Sequence, residues 1–201
     1  LERLLPVPSL VERFVPAEKE LAVVVARGLD GDTVCYPVVE MTFRPEANIL
    51  DTLLAPARID ADTARRAQDL GVRTVEALGG VGVFGIELFL KADGELLVNE
   101  VAPRTHNSGH FTIEACVTDQ FEQHLRAITG LPLGRTDLLT PAAMINLLGA
   151  EGHSGRPVIR GLAQALAIPG VSVHLYGKAA TRPNRKMGHV TVLDSDLESA
   201  R

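Results

Sequence analysis

Residues 81–110 read VGVFGIELFL KADGELLVNE VAPRTHNSGH. Val81 to Leu90 is apolar and β-forming. The run breaks at Asp93-Gly94 and resumes from Glu95 to Glu100, the pattern of a β-hairpin. Glycines at 82 and 85 point to close backbone packing in the first arm. If Asp93-Gly94 is the whole two-residue loop, Ala92 pairs with Glu95. Counting back along both arms then sets Glu87 directly opposite Glu100 on one face. Like charges facing across an antiparallel ladder are destabilising. A hard cation that prefers carboxylate and phosphate oxygens, magnesium above all, relieves that repulsion. Glu87 and Glu100 are therefore candidate metal ligands. The alternative is that both point to water at a sheet edge. Asn99 faces the other way in a regular strand and joins the site only if the strand twists or ends there.

After Leu96-Leu97-Val98 the chain turns polar. Asn99 to His110 holds a carboxylate, an arginine, two histidines, two asparagines and a serine, interrupted by Pro103 and Gly109. Such a run does not continue a core strand. It reads as a strand that ends and delivers donors and acceptors into a cleft. His106 and His110 titrate near neutrality and invite proton transfer. Hydrogen-bonded positioning is the other reading. It is favoured for His106, because a cationic neighbour such as Arg104 favours the neutral ring.

Outward from this stretch, Leu21–Arg27 and Thr33–Val39 are β-rich, with Asp30-Gly31 as the turn between them. Ala61–Leu78 reads as a helix, capped by Asp60 or Asp62 and stopped by Gly79-Gly80. Thr112–Thr129 reads as one helix with an apolar stripe of Ile113, Cys116, Val117, Phe121, Leu125 and Ile128. Gly130 and Pro132 end it. Beyond Leu131 the texture changes to short apolar runs, Ala142–Leu148, Val171–Tyr176 and Val190–Leu193, separated by Gly, Pro and charge. The expected organisation is α+β, with a larger unit over 1–130 and a small strand-rich unit over 131–201.

The chain has 201 residues, 46% of them hydrophobic, and a formal net charge of -5. An acidic balance argues against nucleic-acid binding, which needs excess positive charge. No apolar run is long enough for a membrane span, and no signal peptide opens the chain. Two cysteines make no disulfide framework. A cytoplasmic protein of a reducing compartment is expected. The opening at Leu1, without methionine, leads to the expectation that residues upstream are missing.

Two further segments carry charge in a pattern. Lys178, Arg182, Arg185, Lys186 and His189 cluster between two strands, bracketed by Pro183 and Gly188. Arg as a planar fork and Lys as a compact charge suit a phosphate monoester. A solvated loop is the alternative. Leu10 to Val15 reads as an apolar strand followed by Glu18, Lys19 and Glu20. An adenine slots against such a strand, and a later carboxylate accepts from ribose hydroxyls. An edge strand with charged ends is the bland alternative.

Taken together, Glu12-Arg13-Phe14-Val15, the Glu87 hairpin, Asn99 to His110, Gln120 to Ala127 and Arg182 to His189 resemble an ATP-grasp ligase. Within that family they are similar to the 5-(carboxyamino)imidazole ribonucleotide synthases of purine biosynthesis, over nearly the whole chain. The resemblance implies a mostly antiparallel ATP-grasp domain followed by a small β-rich C-terminal domain. It also implies a reaction. ATP phosphorylates bicarbonate to carboxyphosphate, and the exocyclic amine of 5-aminoimidazole ribonucleotide is carboxylated, with ADP and phosphate released.

By the same resemblance, Glu12, Arg13, Phe14 and Val15 line the adenine and Glu20 holds the ribose. Glu87 and Glu100 carry Mg2+, with Asn99 beside them in the nucleotide site. Arg104, His106 and Asn107 contact the bicarbonate-derived group and the imidazole nucleotide, as catalytic and substrate-binding residues. Lys178, Arg185 and Lys186 hold the substrate phosphate. A homodimer of the full-length protein is implied, with small-molecule partners only.

The family's earlier half, with its ATP-site lysines and glycine-rich loop, is absent, so the chain alone is expected to be inactive or nearly so. Glu40 to Pro45 also departs from the family pattern. Met41 and Phe43 replace polar groups, and the stretch is about two residues longer than usual. No nucleotide contact is carried over to it. Two other readings remain open: a sister ATP-grasp ligase using formate or another acid, and a nucleotide-binding module without catalysis.

Overall fold

The computed structural model describes residues 8–44 and 49–197. Its axis is β1 (Ala17–Arg27), in which Leu21 to Ala26 are all buried. A strand covered on both faces reads as an unbroken apolar run, as here. On one side β1 pairs with β5 (Gly82–Lys91), which pairs with β6 (Leu96–Ala102). On the other it pairs with β2 (Thr33–Cys35) and β3 (Val39–Arg44), and β3 with β4 (Ile49–Ala55). The segment beyond Leu131 supplies β7 (Ala142–Leu148), β8 (Val171–Leu175) and β9 (Lys186–Leu193). These do not form a sheet of their own. β7 bonds to β4, and the nine-stranded sheet runs β6-β5-β1-β3-β4-β7-β9-β8 with β2 beside β1. Every pairing is antiparallel, so the fold is α+β.

The helix α1 (Ala61–Leu78) has the boundaries its local signals set. The Asp60 carboxylate caps it by accepting from the N–H groups of Asp62 and Thr63, and Gly79 ends it in the left-handed conformation (φ 67). Ala67 and Val75 pack on Leu21, Val23, Val25, Ile86 and Leu88, covering one face of the sheet. Alternation sends Ala22, Val24 and Ala26 to the other face, where Phe111, Ala115, Leu53 and Met144 form a second core. Glu40 is buried beside Lys19 and Arg58. Burial pushes its carboxyl up, but hydrogen bonds from Arg58 and Lys19 outweigh this and hold it at about 2.

The helix expected over Thr112–Thr129 is two helices, α2 (Thr112–Ala115) and α3 (Gln120–Thr129). Cys116 is extended. Val117 N–H donates to Asp137 O, and Leu139 N–H donates to Ala115 O, so a strand-like contact interrupts the helix. Asp119 then caps α3. The Asp119/Glu122 spacing is a capping signal that the apolar stripe obscured. Cys116 is buried in the core, but on α3 the stripe faces outward: Phe121 is 41% and Leu125 59% exposed. The inner face of α3 carries Gln120, Gln123 and Ala127. The remaining helix, α4 (Leu162–Leu166), has no buried residue. Among the described residues no helix is long and apolar enough to cross a membrane. Cys35 and Cys116 are free thiols.

Candidate active site

The face of the sheet that α1 leaves uncovered bears a cleft of about 890 Å³. Its lining includes Glu12 to Val15, Glu20 of β1, Glu87 and Phe89 of β5, Leu97 to Glu100 of β6, His106, Asn107 and Lys186. Residues far apart in sequence meet here because β5, β1, β3 and β4 lie side by side, and β9 brings Lys186 across from the far strands. Leu10 to Val15 is not the strand expected. It has no regular structure, and Phe14 is 85% exposed. Phe43 also lines the cleft, whereas Met41 is in the core. Pro45 lies outside the described residues.

Glu87 and Glu100 are directly opposed, but not by the expected route. Lys91 N–H donates to Glu95 O and Gly94 N–H to Lys91 O, so the loop is Ala92-Asp93-Gly94, one residue longer than expected. Gly94 takes a positive φ of 80, as a three-residue hairpin requires. That loop pairs Leu88 with Val98, and a regular strand would then set Asn99, not Glu100, against Glu87. A β-bulge between these pairs takes up Asn99 and brings Glu100 into register. Both Asn99 and Glu100 consequently line the cleft.

Burial pushes the Glu87 carboxyl above its ordinary value, and the charges of Glu100 and Glu20 add to this. Burial also raises Glu20. Among the described residues no group of three His, Cys, Asp or Glu side chains is placed to hold a metal. Two carboxylates suffice for magnesium when phosphates and water complete the shell. The excess negative charge at Glu87 fits a divalent cation held in that way.

His106 is fixed from three sides. Its ring lies over Gly85, where any Cβ would overlap it. Its backbone N–H donates to Gln120 Oε1 (2.8 Å), and its carbonyl accepts from Gln120 Nε2 (2.8 Å). The Ser108 backbone N–H donates to His106 Nδ1 (3.3 Å). Nδ1 therefore accepts, and the neutral ring carries its proton on Nε2, 3.7 Å from Glu87 Oε1. Burial lowers His106 to about 4, with Arg104 and Lys186 adding to the shift. The same logic orients His110: Gln120 Nε2 donates to His110 Nδ1 (3.0 Å). Burial, with His189 next to it, lowers His110 to about 3. His110 stacks on His189, and His189 on His174, at 4.6 and 4.5 Å.

The basic residues do not all meet. Lys186 opens β9 rather than lying in a loop, and its ammonium donates to Asn107 Oδ1 (3.0 Å). Burial lowers Lys186, opposed by Glu87 and reinforced by Arg104 and Lys178. Lys178 donates to the Lys186 carbonyl and borders a separate cavity of about 760 Å³. The exposed Arg185 guanidinium donates to Ala180 O (2.9 Å). Arg104 donates to Thr105 O (2.9 Å) and acts on the cleft through its charge.

A sheet that gathers paired carboxylates and a histidine-asparagine loop into one cleft has counterparts among known proteins. A sequence model of the ATP-grasp domain matches residues 3–121. The chain belongs to the ATP-grasp family. Its ATP-grasp part is followed by a match over 142–201 to the phosphoribosylaminoimidazole carboxylase C-terminal domain. The chain is 47% identical over 195 residues to phosphoribosylaminoimidazole carboxylase of Ogataea methanolica, covering 94% of this chain and 35% of that one. It resembles the crystal structure of N5-carboxyaminoimidazole ribonucleotide synthetase from Thermotoga maritima, with 60% identity and a TM-score of 0.88. That match covers 94% of this chain and 50% of the other. An Aspergillus clavatus N5-carboxyaminoimidazole synthase in complex with ADP and 5-aminoimidazole ribonucleotide matches with 39% identity and a TM-score of 0.85, covering 93% and 50%. This ATP-grasp chain thus spans about half the length of those solved relatives.

Two residues of this ATP-grasp site have no site role assigned from sequence, although Gln120 opens one of the segments that carry the resemblance. Gln120 is fully buried and clamps the His106 main chain. Asn146, at 3% exposure, bonds to the Asn107 side chain. A lone amide inside the apolar run Ala142–Leu148 was the available clue, since a buried amide needs partners.

Proposed function

We propose that this chain is the metal-holding and acceptor-binding part of an ATP-dependent carboxylase that makes 5-carboxyaminoimidazole ribonucleotide in purine biosynthesis. The observation that carries the reading is the meeting of the Glu87–Glu100 pair with His106, Asn107 and Lys186 in one cleft. In the reaction a bicarbonate oxygen attacks the γ-phosphorus of ATP, and ADP leaves. The exocyclic amine of 5-aminoimidazole ribonucleotide then attacks the carboxyl carbon of carboxyphosphate. The carbon–oxygen bond to phosphate breaks, phosphate leaves, and the amine loses a proton.

Such chemistry depends on positioning and charge neutralisation. Magnesium held at Glu87 and Glu100 supplies the positive charge that the phosphates need, with Asn99 beside it. Glu12 to Val15 take the adenine and Glu20 the ribose. Neutral His106 offers its Nε2–H as a donor. Asn107, Lys186 and the charge of Arg104 hold the bicarbonate-derived anion, while Lys178 and Arg185 serve the substrate phosphate. Carboxyphosphate hydrolyses readily, so the site must exclude water during the reaction. The reading includes a cytoplasmic homodimer.

The test is the full-length protein with Mg2+, ATP, 13C-bicarbonate and 5-aminoimidazole ribonucleotide. ADP release that requires the ribonucleotide, with the label on the product carbamate, is expected. ADP release that requires formate instead, or none with any acid, would overturn the proposal.

A further inference from the structure

Asn107 and Asn146 form a closed amide pair. Asn107 Nδ2 donates to Asn146 Oδ1 (2.9 Å), and Asn146 Nδ2 donates to Asn107 Oδ1 (2.9 Å). Such a ring has two equivalent senses, since turning both amides over restores the same two bonds. Two outer contacts break the equivalence. The second Asn146 Nδ2 hydrogen goes to the Leu50 carbonyl (2.9 Å), which only accepts. The Lys186 ammonium, which only donates, reaches Asn107 Oδ1 (3.0 Å). Turned over, the pair would set Asn146 Oδ1 against the Leu50 carbonyl and Asn107 Nδ2 against the ammonium.

We propose that Asn146 is a positioning residue: it transmits the direction of the Leu50 carbonyl to the Asn107 amide and so decides which atom Asn107 presents in the cleft. Both lone pairs of Asn107 Oδ1 are taken, by Asn146 and Lys186. One Nδ2 hydrogen goes to Asn146. Among the described residues the second has no partner, and Asn107 lines the cleft. Asn107 therefore offers a donor and no acceptor. This selects a group that accepts, such as an anionic oxygen, over one that only donates, such as an ammonium. The device joins β4, β7 and the loop after β6, so the two sequence-matched segments build one amide together.

The kinetic consequence rests on the function proposed above, and the structural one does not. The test uses the full-length protein with 15N-asparagine and the variant Asn146→Leu, with Asn146→Ser as the second variant should the first not fold. In the unsubstituted protein the Asn107 side-chain hydrogen bonded to Asn146 is expected to exchange slowly with solvent. In the variant it is expected to exchange at least about tenfold faster, with backbone amides of β4 and β7 unchanged. For carboxylation, kcat is expected to fall about 10- to 100-fold with KM for ATP held within about twofold. Adding Asn146→Leu to Asn107→Ala should cost nothing further, because Asn146 acts through Asn107. Unchanged exchange at Asn107, or a full additional loss in the double variant, would overturn the positioning role. Lack of carboxylation by the unsubstituted protein would overturn the proposed function and leave the exchange result to judge Asn146.

Discussion

Glu87 of β5 and Glu100 of β6 stand in register only because two irregularities cancel. The loop adds one residue to the hairpin, and the bulge at Asn99 adds another to β6. Without the bulge, Glu100 would turn toward the face that α1 covers, and a bare carboxylate would replace Val101 opposite Ile86. The bulge keeps the acid pair in the cleft and adds an amide beside it.

Deleting Asn99 should therefore spare the fold. Each remaining pair of β5 and β6 keeps its partner, because the residue removed is the unpaired one. Unfolding free energy is expected to change by about 1 kcal/mol or less. Affinity for Mg2+-nucleotide is expected to fall, and calorimetric titration of the full-length protein measures it. A large loss of stability would show that the bulge is structural.

Glu100→Gln removes the repulsion across the pair. Without metal the variant should match the parent or exceed it in stability by about 0.2–1 kcal/mol. Millimolar Mg2+ with nucleotide should stabilise the parent and not the variant, by thermal melting. Turnover of the full-length protein should drop by orders of magnitude. A variant that keeps turnover would sink the metal role of the pair.

Gly85→Ala drives a methyl group into the His106 ring. Overpacking of this kind costs about 1–3 kcal/mol. The His106 ring resonances should move while those of His153, in another part of the chain, stay fixed.

Gln120→Leu leaves the His106 N–H and carbonyl without their partner. Each buried group so stranded costs about 1–3 kcal/mol. Denaturant unfolding should show the loss. Gln120→Glu should not recover it, because its second carboxylate oxygen would face the acceptors His106 O and His110 Nδ1 in a fully buried position.

Acid should weaken the fold before it protonates the His106 ring. Burial holds His106 at about 4, His110 at about 3 and His189 at about 4, below the ordinary histidine value. Each folded value is depressed, so the unfolded chain binds more protons between about pH 6.5 and those values. Stability from these rings is complete above the unfolded value and is lost as pH falls through that window. Glu87 and Glu20 are raised and act in the opposite sense. With three strongly shifted rings against two acids, unfolding free energy at pH 5 is expected to lie roughly 2 kcal/mol or more below that at pH 7.5. An equal or greater stability at pH 5 would falsify this balance. The His106 ring should stay neutral at pH 5 by NMR titration.

The sequence by itself determined what neighbours along the chain can decide. Asp60 and Gly79 bound α1, Asp93-Gly94 turns the hairpin, and the alternation of β5 puts Glu87 on the face away from α1, because caps, turns and pleats depend on residues a few positions apart. It also held the motif that gathers His106 and Asn107 next to the acids. Tertiary structure alone decided the rest. The stripe of Phe121, Leu125 and Ile128 has helical spacing, yet the inner face of α3 went to Gln120 and Gln123, whose amides bond to main-chain groups of distant segments. Asn146 reads as an oddity in an apolar strand until Leu50 and Asn107 arrive beside it. Burial and amide direction are set by whichever partners long-range packing supplies, and local pattern carries no record of them.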